Sequence, residues 1–233
     1  MSIQVQIIPR VLHFKRPAGT SRGVLNERKV WYILLFNKSN PELRGYGECA
    51  PLPNLSCDDL PNYEEILQGF ADELTHKNTL NWKELRNYPS MLFGFEIALQ
   101  HYQRQMLQLW DSPFARGEQG IPINGLIWMG SYAYMHQQIV EKIESGFKLI
   151  KLKIGAIDFE QEYKLLELIR QDFSAEQLQL RVDANGAFSP AEALDKLERL
   201  ARLDIHSIEQ PIRAGQHQEM FRLTKLTPLP IAL

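Results

Sequence analysis

FKLIKLKIG, residues 147–155, has the leucine and isoleucine content of a buried strand, yet it carries lysines at positions 148, 151 and 153. Side chains on a strand alternate between its two faces, so Lys151 and Lys153 share one face while Ile150 and Leu152 share the other. The apolar face suits packing against helices. The lysine face is therefore predicted to point into the interior of a sheet or, if the sheet closes, of a barrel.

Two later stretches repeat this placement of charged groups on one strand face. In LQLRVDAN, residues 178–185, the alternation puts Asp183 and Asn185 on the same face, and IHSIEQP, residues 205–211, ends its interior face at Glu209. Lys153, Asp183 and Glu209 follow one another at intervals of 30 and 26 residues, each about one strand-and-helix repeat. Because the carboxyl ends of the strands carry the catalytic groups of α/β barrels, we expect these side chains to meet at one rim.

The pattern that surrounds these strands begins near residue 120. From Ile121 onward, short apolar segments alternate with amphipathic ones, which is typical of parallel strands joined by helices. Helices are predicted at about residues 132–144, 159–173 and 190–203, and the last opens with SPAE, a capping box. Residues 121–233 are therefore predicted to form four strand-and-helix units around a parallel sheet, with the last residues opening a fifth strand.

Residues 1–120 are predicted to form a separate α+β unit, with strands first and helices after. The strands are expected at residues 3–14 and 29–37, joined by a loop rich in Gly, Pro, Ser and Arg. GYGECAPLPNLS, residues 45–56, is predicted to be an irregular loop. Helices are expected to follow at residues 63–76 and 90–109.

Composition excludes several classes of protein. The net charge is −2, with both signs interspersed, so a nucleic-acid-binding or anionic-membrane surface is not expected. The sequence shows no signal peptide and no apolar run of spanning length, which predicts a soluble cytoplasmic protein. Cys49 and Cys57 match no metal or redox spacing and are expected to be free thiols.

The residue types at the predicted rim favour one kind of chemistry. Asp183 and Glu209 are hard carboxylate ligands without a nearby His or Cys, which favours Mg²⁺ over zinc, with Mn²⁺ as the alternative ion. A lysine is normally protonated at neutral pH, but a second ammonium and a divalent cation nearby disfavour the charged form. Lys153 is therefore predicted to remove a proton from a carbon next to a carboxylate, while the metal stabilises the resulting enediolate.

A structural interpretation of the same residues is also open. Charged side chains at strand ends are often solvated or form salt bridges, because such groups are mostly exposed. For any one residue that interpretation would be preferred. The repetition of charged groups at the same height on successive strands favours a functional site instead.

KLK, RVDAN and IEQP in this order resemble the enolase superfamily, whose pairing of a lysine base with Mg²⁺ is a known pattern. Within this superfamily, less specific segments are similar to the o-succinylbenzoate synthases of menaquinone biosynthesis. These segments are TSRG, GYGECAPLPNLS, PSMLFGFEIAL and PINGLIWMG. The resemblance implies an α+β capping domain, residues 1–120, followed by an incomplete α/β barrel, residues 121–233. It further implies a lyase that dehydrates a hydroxycyclohexadiene carboxylate, a small-molecule substrate, to o-succinylbenzoate.

The resemblance also implies roles for individual residues. Lys153 would be the base and, as its conjugate acid, would help the hydroxide leave, while Lys151 would support it. Asp183 and Glu209 would bind the metal, and Asn185 would orient a metal ligand or water, or simply form the turn before Gly186. In the TSRG loop, Thr20, Ser21 and Arg22 would contact the substrate, with Arg22 pairing with its carboxylate, unless they are solvated loop residues.

Two further expectations concern the extent and the alternatives of this assignment. Only 113 residues follow Gly120, whereas a complete α/β barrel takes about 250, so the chain is expected to lack a third acidic ligand and a second catalytic lysine and to be inactive alone. The alternatives are a dipeptide epimerase, an N-acylamino acid racemase or a cycloisomerase of the same superfamily. A non-catalytic fragment is the alternative from another class.

Overall fold

A computed structural model describes residues 3–20 and 23–233 of the chain, without the side chains of residues 19 and 20. Two compact units divide between Ile121 and Pro122, and each has its own hydrophobic core. Within the described residues, no helix combines the length and the apolar character that crossing a membrane requires.

The first unit is a three-stranded sheet followed by helices. Its strands lie in the order β1, β2, β3, and β2 pairs with β3 in antiparallel fashion. The elements, in chain order, are β1 (Ile3–Thr20), β2 (Gly23–Asn37), β3 (Asn40–Cys49), α1 (Tyr63–Lys77), α2 (Trp82–Leu85) and α3 (Pro89–Arg104).

Three predictions for this unit were wrong. The segment between the first two strands was predicted to be a loop, but β1 continues to Thr20 and β2 already begins at Gly23. The first part of GYGECAPLPNLS is not irregular, since it belongs to β3, and α3 ends at Arg104 rather than near residue 109.

Close packing explains why glycines occur in a strand here. A Cβ at Gly45 or Gly47 would overlap the backbone of α3, so these glycines allow the sheet and the helix to approach each other. Cys49 at the end of β3 is buried and Cys57 is exposed, and both are free thiols, as predicted. Cys49 was wrongly expected in a loop.

The second unit is a parallel sheet with a helix after each of its first four strands. Its elements, in chain order, are β4 (Gly125–Ile127), α4 (Tyr132–Glu144), β5 (Leu149–Lys153), α5 (Phe159–Asp172), β6 (Gln179–Asp183), α6 (Pro190–Ala201), β7 (Ser207–Glu209), α7 (His217–Leu226) and β8 (Ile231–Ala232). The five strands are hydrogen-bonded in sequence order. The predicted alternation, which is that of an incomplete barrel, is confirmed.

The alternation of side chains along these strands is the reason why the sheet has one apolar face. Ile150, Leu152, Leu180, Val182 and Ile208 are buried in a core that also contains side chains from the helices. The capping box predicted for α6 is present, because the Ser189 side chain accepts from the backbone of Glu192 and the Glu192 side chain accepts from that of Ser189. The opposite face of the sheet carries the charged residues.

Candidate active site

Strand register brings the predicted charged residues to one height at the carboxyl end of the sheet. Lys153 is paired with Asp183 across β5 and β6, and Asp183 is paired with Glu209 across β6 and β7. Lys151 lies two residues earlier on the same face of β5 and therefore one layer deeper. The structure thus brings Lys151, Lys153, Asp183 and Glu209 together, as the spacing predicted.

Lys151 bridges the two carboxylates. Its Nζ donates to Glu209 Oε2 at 2.5 Å and lies 3.2 Å from Asp183 Oδ2. The Asp183 side chain is only 4% exposed, the Lys151 side chain 20% and the Glu209 side chain 45%. The carboxylates therefore converge on one cationic atom in a partly water-excluded place, where electrostatic interactions are stronger than in bulk water.

Lys153 forms the second contact with Asp183 and reaches Asn185. Its Nζ donates to Asp183 Oδ2 at 3.0 Å and to Asn185 Oδ1 at 3.5 Å. The backbone N–H of Asn185 donates to the other oxygen of Asp183, Oδ1, at 3.1 Å. The Asn185 Nδ2 is buried and has no hydrogen-bond partner among the described residues, so it is a donor available to a ligand.

The paired charges shift the pKa values of two of these groups. Burial raises the pKa of Asp183, but the hydrogen bonds and charges of Lys153 and Lys151 outweigh this and hold it below its usual value. Burial lowers the pKa of Lys151, but Glu209 and Asp183 outweigh it and raise that pKa above its usual value. The cluster therefore balances its own charge, with Lys151 as an ammonium.

The donor set fits a magnesium ion. Asp183 and Glu209 offer carboxylate oxygens to a shared point that the Lys151 ammonium occupies, so a cation can be held there. Mg²⁺ is commonly bound through one or two carboxylates and several waters. Among residues 3–20 and 23–233, no three His, Cys, Asp or Glu side chains are grouped to hold a metal, and the grouped carboxylates at this rim are Asp183 and Glu209.

The loops that follow β6 and β7 are fastened to each other just beyond the carboxylates. Gly186 N–H donates to Gln210 O at 2.7 Å, and Phe188 N–H donates to Pro211 O at 3.0 Å. Asn185 follows Asp183 by two residues, and Gln210 directly follows Glu209. Their φ angles are positive, 48° and 44° respectively. Residues other than glycine rarely adopt positive φ angles, and the residues that do so cluster at functional sites.

A buried carboxylate that the sequence analysis missed holds the loop after β5. Glu162 of α5 accepts from Gly155 N–H at 2.8 and 2.9 Å and from Ala156 N–H at 3.2 Å. Burial raises the pKa of the Glu162 carboxyl against the opposite effect of these amides. Glu162 therefore fixes the segment that directly follows Lys153.

An aromatic residue next to Lys153 was missed as well. The Lys153 Nζ lies 5.7 Å from the ring centroid of Trp128, at the end of β4. PINGLIW was interpreted only as a strand, although its parity with FKLIKLKI would have indicated that Trp128 and Lys153 share a face. The predicted substrate residues Ser21 and Arg22 lie outside the described residues, as does the side chain of Thr20, so their roles stay predictions.

Comparison with known proteins identifies similar chains. Residues 134–233 match the family model described as "Enolase C-terminal domain-like". The o-succinylbenzoate synthase of Desulfotalea psychrophila is 40% identical and is matched over 95% of this chain and 68% of its own length. The crystal structure of MenC from the same organism has a TM-score of 0.77 and 34% identity, covering 100% of this chain and 71% of the other.

Two further solved structures show the same fold. The o-succinylbenzoate synthase from Thermosynechococcus elongatus, described with Mg in the active site, has a TM-score of 0.73 at 26% identity, covering 100% of this chain and 68% of the other. A dipeptide epimerase from Enterococcus faecalis, complexed with Mg and a dipeptide, has a TM-score of 0.77 at 21% identity, covering 99% and 67%. The chain thus spans about two thirds of the length of the relatives that it matches.

Proposed function

The chain belongs to the o-succinylbenzoate synthase family of the enolase superfamily, and on that basis we propose that it carries the base and two metal ligands of a lyase. The proposed reaction is the dehydration of 2-succinyl-6-hydroxy-2,4-cyclohexadiene-1-carboxylate to o-succinylbenzoate in menaquinone biosynthesis. The observation that supports it is the cluster of two lysines and two carboxylates on three adjacent parallel strands.

The chemistry requires a proton to leave a carbon next to a carboxylate. In the proposal, Lys153, which is paired with Asp183 in the structure, first gives its own proton to solvent and then, as a neutral amine, takes the substrate proton, which breaks the C–H bond and leaves its electrons on the substrate. The resulting ammonium then gives the proton to the leaving hydroxyl group. The C–O bond breaks, a C=C bond forms and water departs, so atoms and charges balance.

Lys151, Asp183 and Glu209 support this step in the proposal. A magnesium ion held by Asp183 and Glu209 would supply positive charge next to the substrate carboxylate, where negative charge develops. Binding of the ion would compete with Lys151 for both carboxylates, because the ammonium contacts the same oxygens. Asn185 Nδ2, buried and available as a donor, would orient a water or a substrate oxygen.

The test is turnover by the protein that contains these 233 residues. With Mg²⁺ present, o-succinylbenzoate formation followed by proton NMR should be lost almost entirely in Lys153→Ala, because no other group is proposed to take the proton. Lys148→Ala is the matched control, since Lys148 is exposed and just precedes the same strand, and it should retain normal turnover. Normal turnover in Lys153→Ala would refute the assigned base.

The substrate is tested separately from the base. A protein that epimerises dipeptides or racemises N-acylamino acids but forms no o-succinylbenzoate would keep the lysine chemistry and overturn the substrate. Proton exchange with deuterated water into such substrates would be the measurement. A protein that neither dehydrates nor exchanges in the presence of Mg²⁺ would overturn the enzymatic function.

A further inference from the structure

Trp128 lies beside the predicted base on the neighbouring strand. β4 and β5 pair Ile127 with Leu152, so the next residue along each strand is Trp128 on one and Lys153 on the other. The Lys153 Nζ is 5.7 Å from the Trp128 ring centroid, within the range in which an ammonium and an aromatic face interact. Trp128 is also partly exposed, which a side chain used only for core packing would not be.

Gln138 holds Trp128 in this position from the adjacent helix. The backbone N–H of Trp128 donates to Gln138 Oε1 at 2.9 Å, and Gln138 Nε2 donates to the backbone carbonyl of Trp128 at 2.9 Å. One side-chain amide therefore satisfies both backbone polar groups of a single residue just after the strand ends. Because two bonds fix the backbone of Trp128, its indole is presented to Lys153 from a rigid support.

The indole face of Trp128 is relevant to the shape of the substrate. A carbon whose proton is taken by Lys153 must come within about 3 Å of Nζ. Because Nζ is 5.7 Å from the Trp128 ring centroid, a substrate carbon on the indole side of Nζ would put its ring near the indole face, and interacting rings have centroids about 4.5–7 Å apart. In both substrate classes the carbon that loses its proton is tetrahedral, but a cyclohexadiene carries a flat conjugated diene next to that carbon, whereas the backbone of a dipeptide carries no ring there.

We propose that Trp128 is a specificity-determining residue whose indole face receives the flat ring of a cyclic carboxylate beside Lys153, with Gln138 as its positioning residue. The assignment rests on the proposed function and deepens it, because it selects a planar carbocyclic acid over an acyclic amino-acid derivative. It depends on the stacking face and the two Gln138 bonds, not on the metal.

The first test compares two ligands on the unchanged protein that contains these residues. o-Succinylbenzoate and its counterpart with a cyclohexane ring carry the same carboxylates, so they differ mainly in the flat face. In Mg²⁺-containing buffer, isothermal titration should give a dissociation constant about five-fold lower for the aromatic ligand, from the usual strength of ring stacking. Equal affinities for the two ligands would overturn the inference without any variant.

The second test removes the face or its support. Trp128→Leu should abolish the preference for the aromatic ligand, Trp128→Phe should keep most of it, and Trp128→Met replaces the Leu variant if that one does not fold. Gln138→Leu should reduce the preference, whereas Gln137→Leu, at an exposed neighbour that bonds Glu141, should not. Trp110→Leu is the control for loss of a tryptophan elsewhere, since Trp110 is largely exposed in the first unit.

The outcomes separate this inference from the proposed function. Normal turnover with an unchanged ligand preference in Trp128→Leu would overturn the role of Trp128 and leave the function standing. Absence of turnover, with ligand preference still dependent on Trp128, would support the inference and count against the proposed reaction. Absence of binding by either ligand would overturn both.

Discussion

The cluster of Lys151, Lys153, Asp183 and Glu209 holds two positive and two negative charges, joined by three ion pairs in which Lys151 contacts both carboxylates and Lys153 contacts Asp183. Single buried charges are expensive, and breaking one pair leaves its partner uncompensated. The balance explains why a strand that is otherwise apolar tolerates two ammonium groups. It also implies that a ligand or metal entering the cluster must rearrange contacts that already exist.

Asp183 makes the stability of the chain dependent on pH in a defined direction. Its pKa is lower in the folded chain than the ordinary 3.8, so its contribution is present above that value and is lost as the pH falls through the folded pKa. Asp183→Asn should therefore be less stable than the wild type at neutral pH, by about 1–3 kcal/mol, because charged and buried partners lose their acceptor. The difference should shrink as the pH falls below about 4.

Urea unfolding at a series of pH values measures this difference. Asp195→Asn is the control, because Asp195 is an exposed carboxylate on α6, and its difference from the wild type should stay small at every pH. A stability difference for Asp183→Asn that is as large in acid as at neutral pH would contradict the explanation by ion pairing.

At the scale of elements, the loop after β5 is fixed from two sides. From α5, the Glu162 carboxylate accepts hydrogen bonds from the backbone N–H groups of Gly155 and Ala156 in this loop. Gly155 has a φ of +92°, and a Cβ there would overlap the side chain of Ala187 in the loop after β6. The loop that follows Lys153 is therefore packed directly against the loop that follows the Asp183 strand.

Gly155→Ala should destabilise the chain more than Gly146→Ala. Both glycines have positive φ, so both variants incur the backbone strain, but a Cβ at Gly146 would meet open space. The overlap at Gly155 adds roughly 1–3 kcal/mol to the loss of unfolding free energy, the usual cost of overpacking. Urea unfolding of both variants measures the difference.

A double variant tests the cause. Gly155→Ala combined with Ala187→Gly removes the atom that would be overlapped, so the double variant should lose less unfolding free energy than the sum of the two single variants. If the two changes are simply additive, the contact with Ala187 does not explain the loss.

For the molecule as a whole, regular repetition made the second unit predictable. Side chains alternate between the two faces of each strand, and each repeat ends its strand with a charged residue. These two regularities were enough to predict from the sequence that Lys153, Asp183 and Glu209 lie together. The first unit lacked such repetition. Its third strand contains Gly45 and Gly47, which local propensity assigns to turns, and only the close approach of α3 explains them.

The parts of the site that were not predicted depend on contacts that sequence patterns do not carry. Gln138 supports Trp128 from ten residues away, on the second turn of a helix whose other glutamine, Gln137, is exposed and bonds Glu141. Glu162 lies in an amphipathic helix where a glutamate normally indicates an exposed face, yet it is buried against backbone amides. In both cases a long polar side chain bonds backbone groups just after a strand, a tertiary contact that the helix pattern alone does not indicate.

The strongest consequence for the whole chain concerns cation binding. Lys151 occupies the point on which both carboxylates converge, so it competes with any metal ion there. With two ligands from the described residues, the 233-residue chain should bind Mg²⁺ weakly, and removing the ion with a chelator should change its melting temperature little.

Lys151→Met keeps much of the side-chain length and removes the charge, so it should tighten Mg²⁺ binding by about ten-fold or more, given the size of charge interactions at this distance. Isothermal titration measures both constants. Lys148→Met serves as the control for loss of a positive charge near the same strand and should leave Mg²⁺ binding almost unchanged, while Asp183→Asn combined with Lys151→Met should abolish the gain. Tight binding by the unchanged chain, or no gain in Lys151→Met, would show that the ion is not held at the Lys151 position.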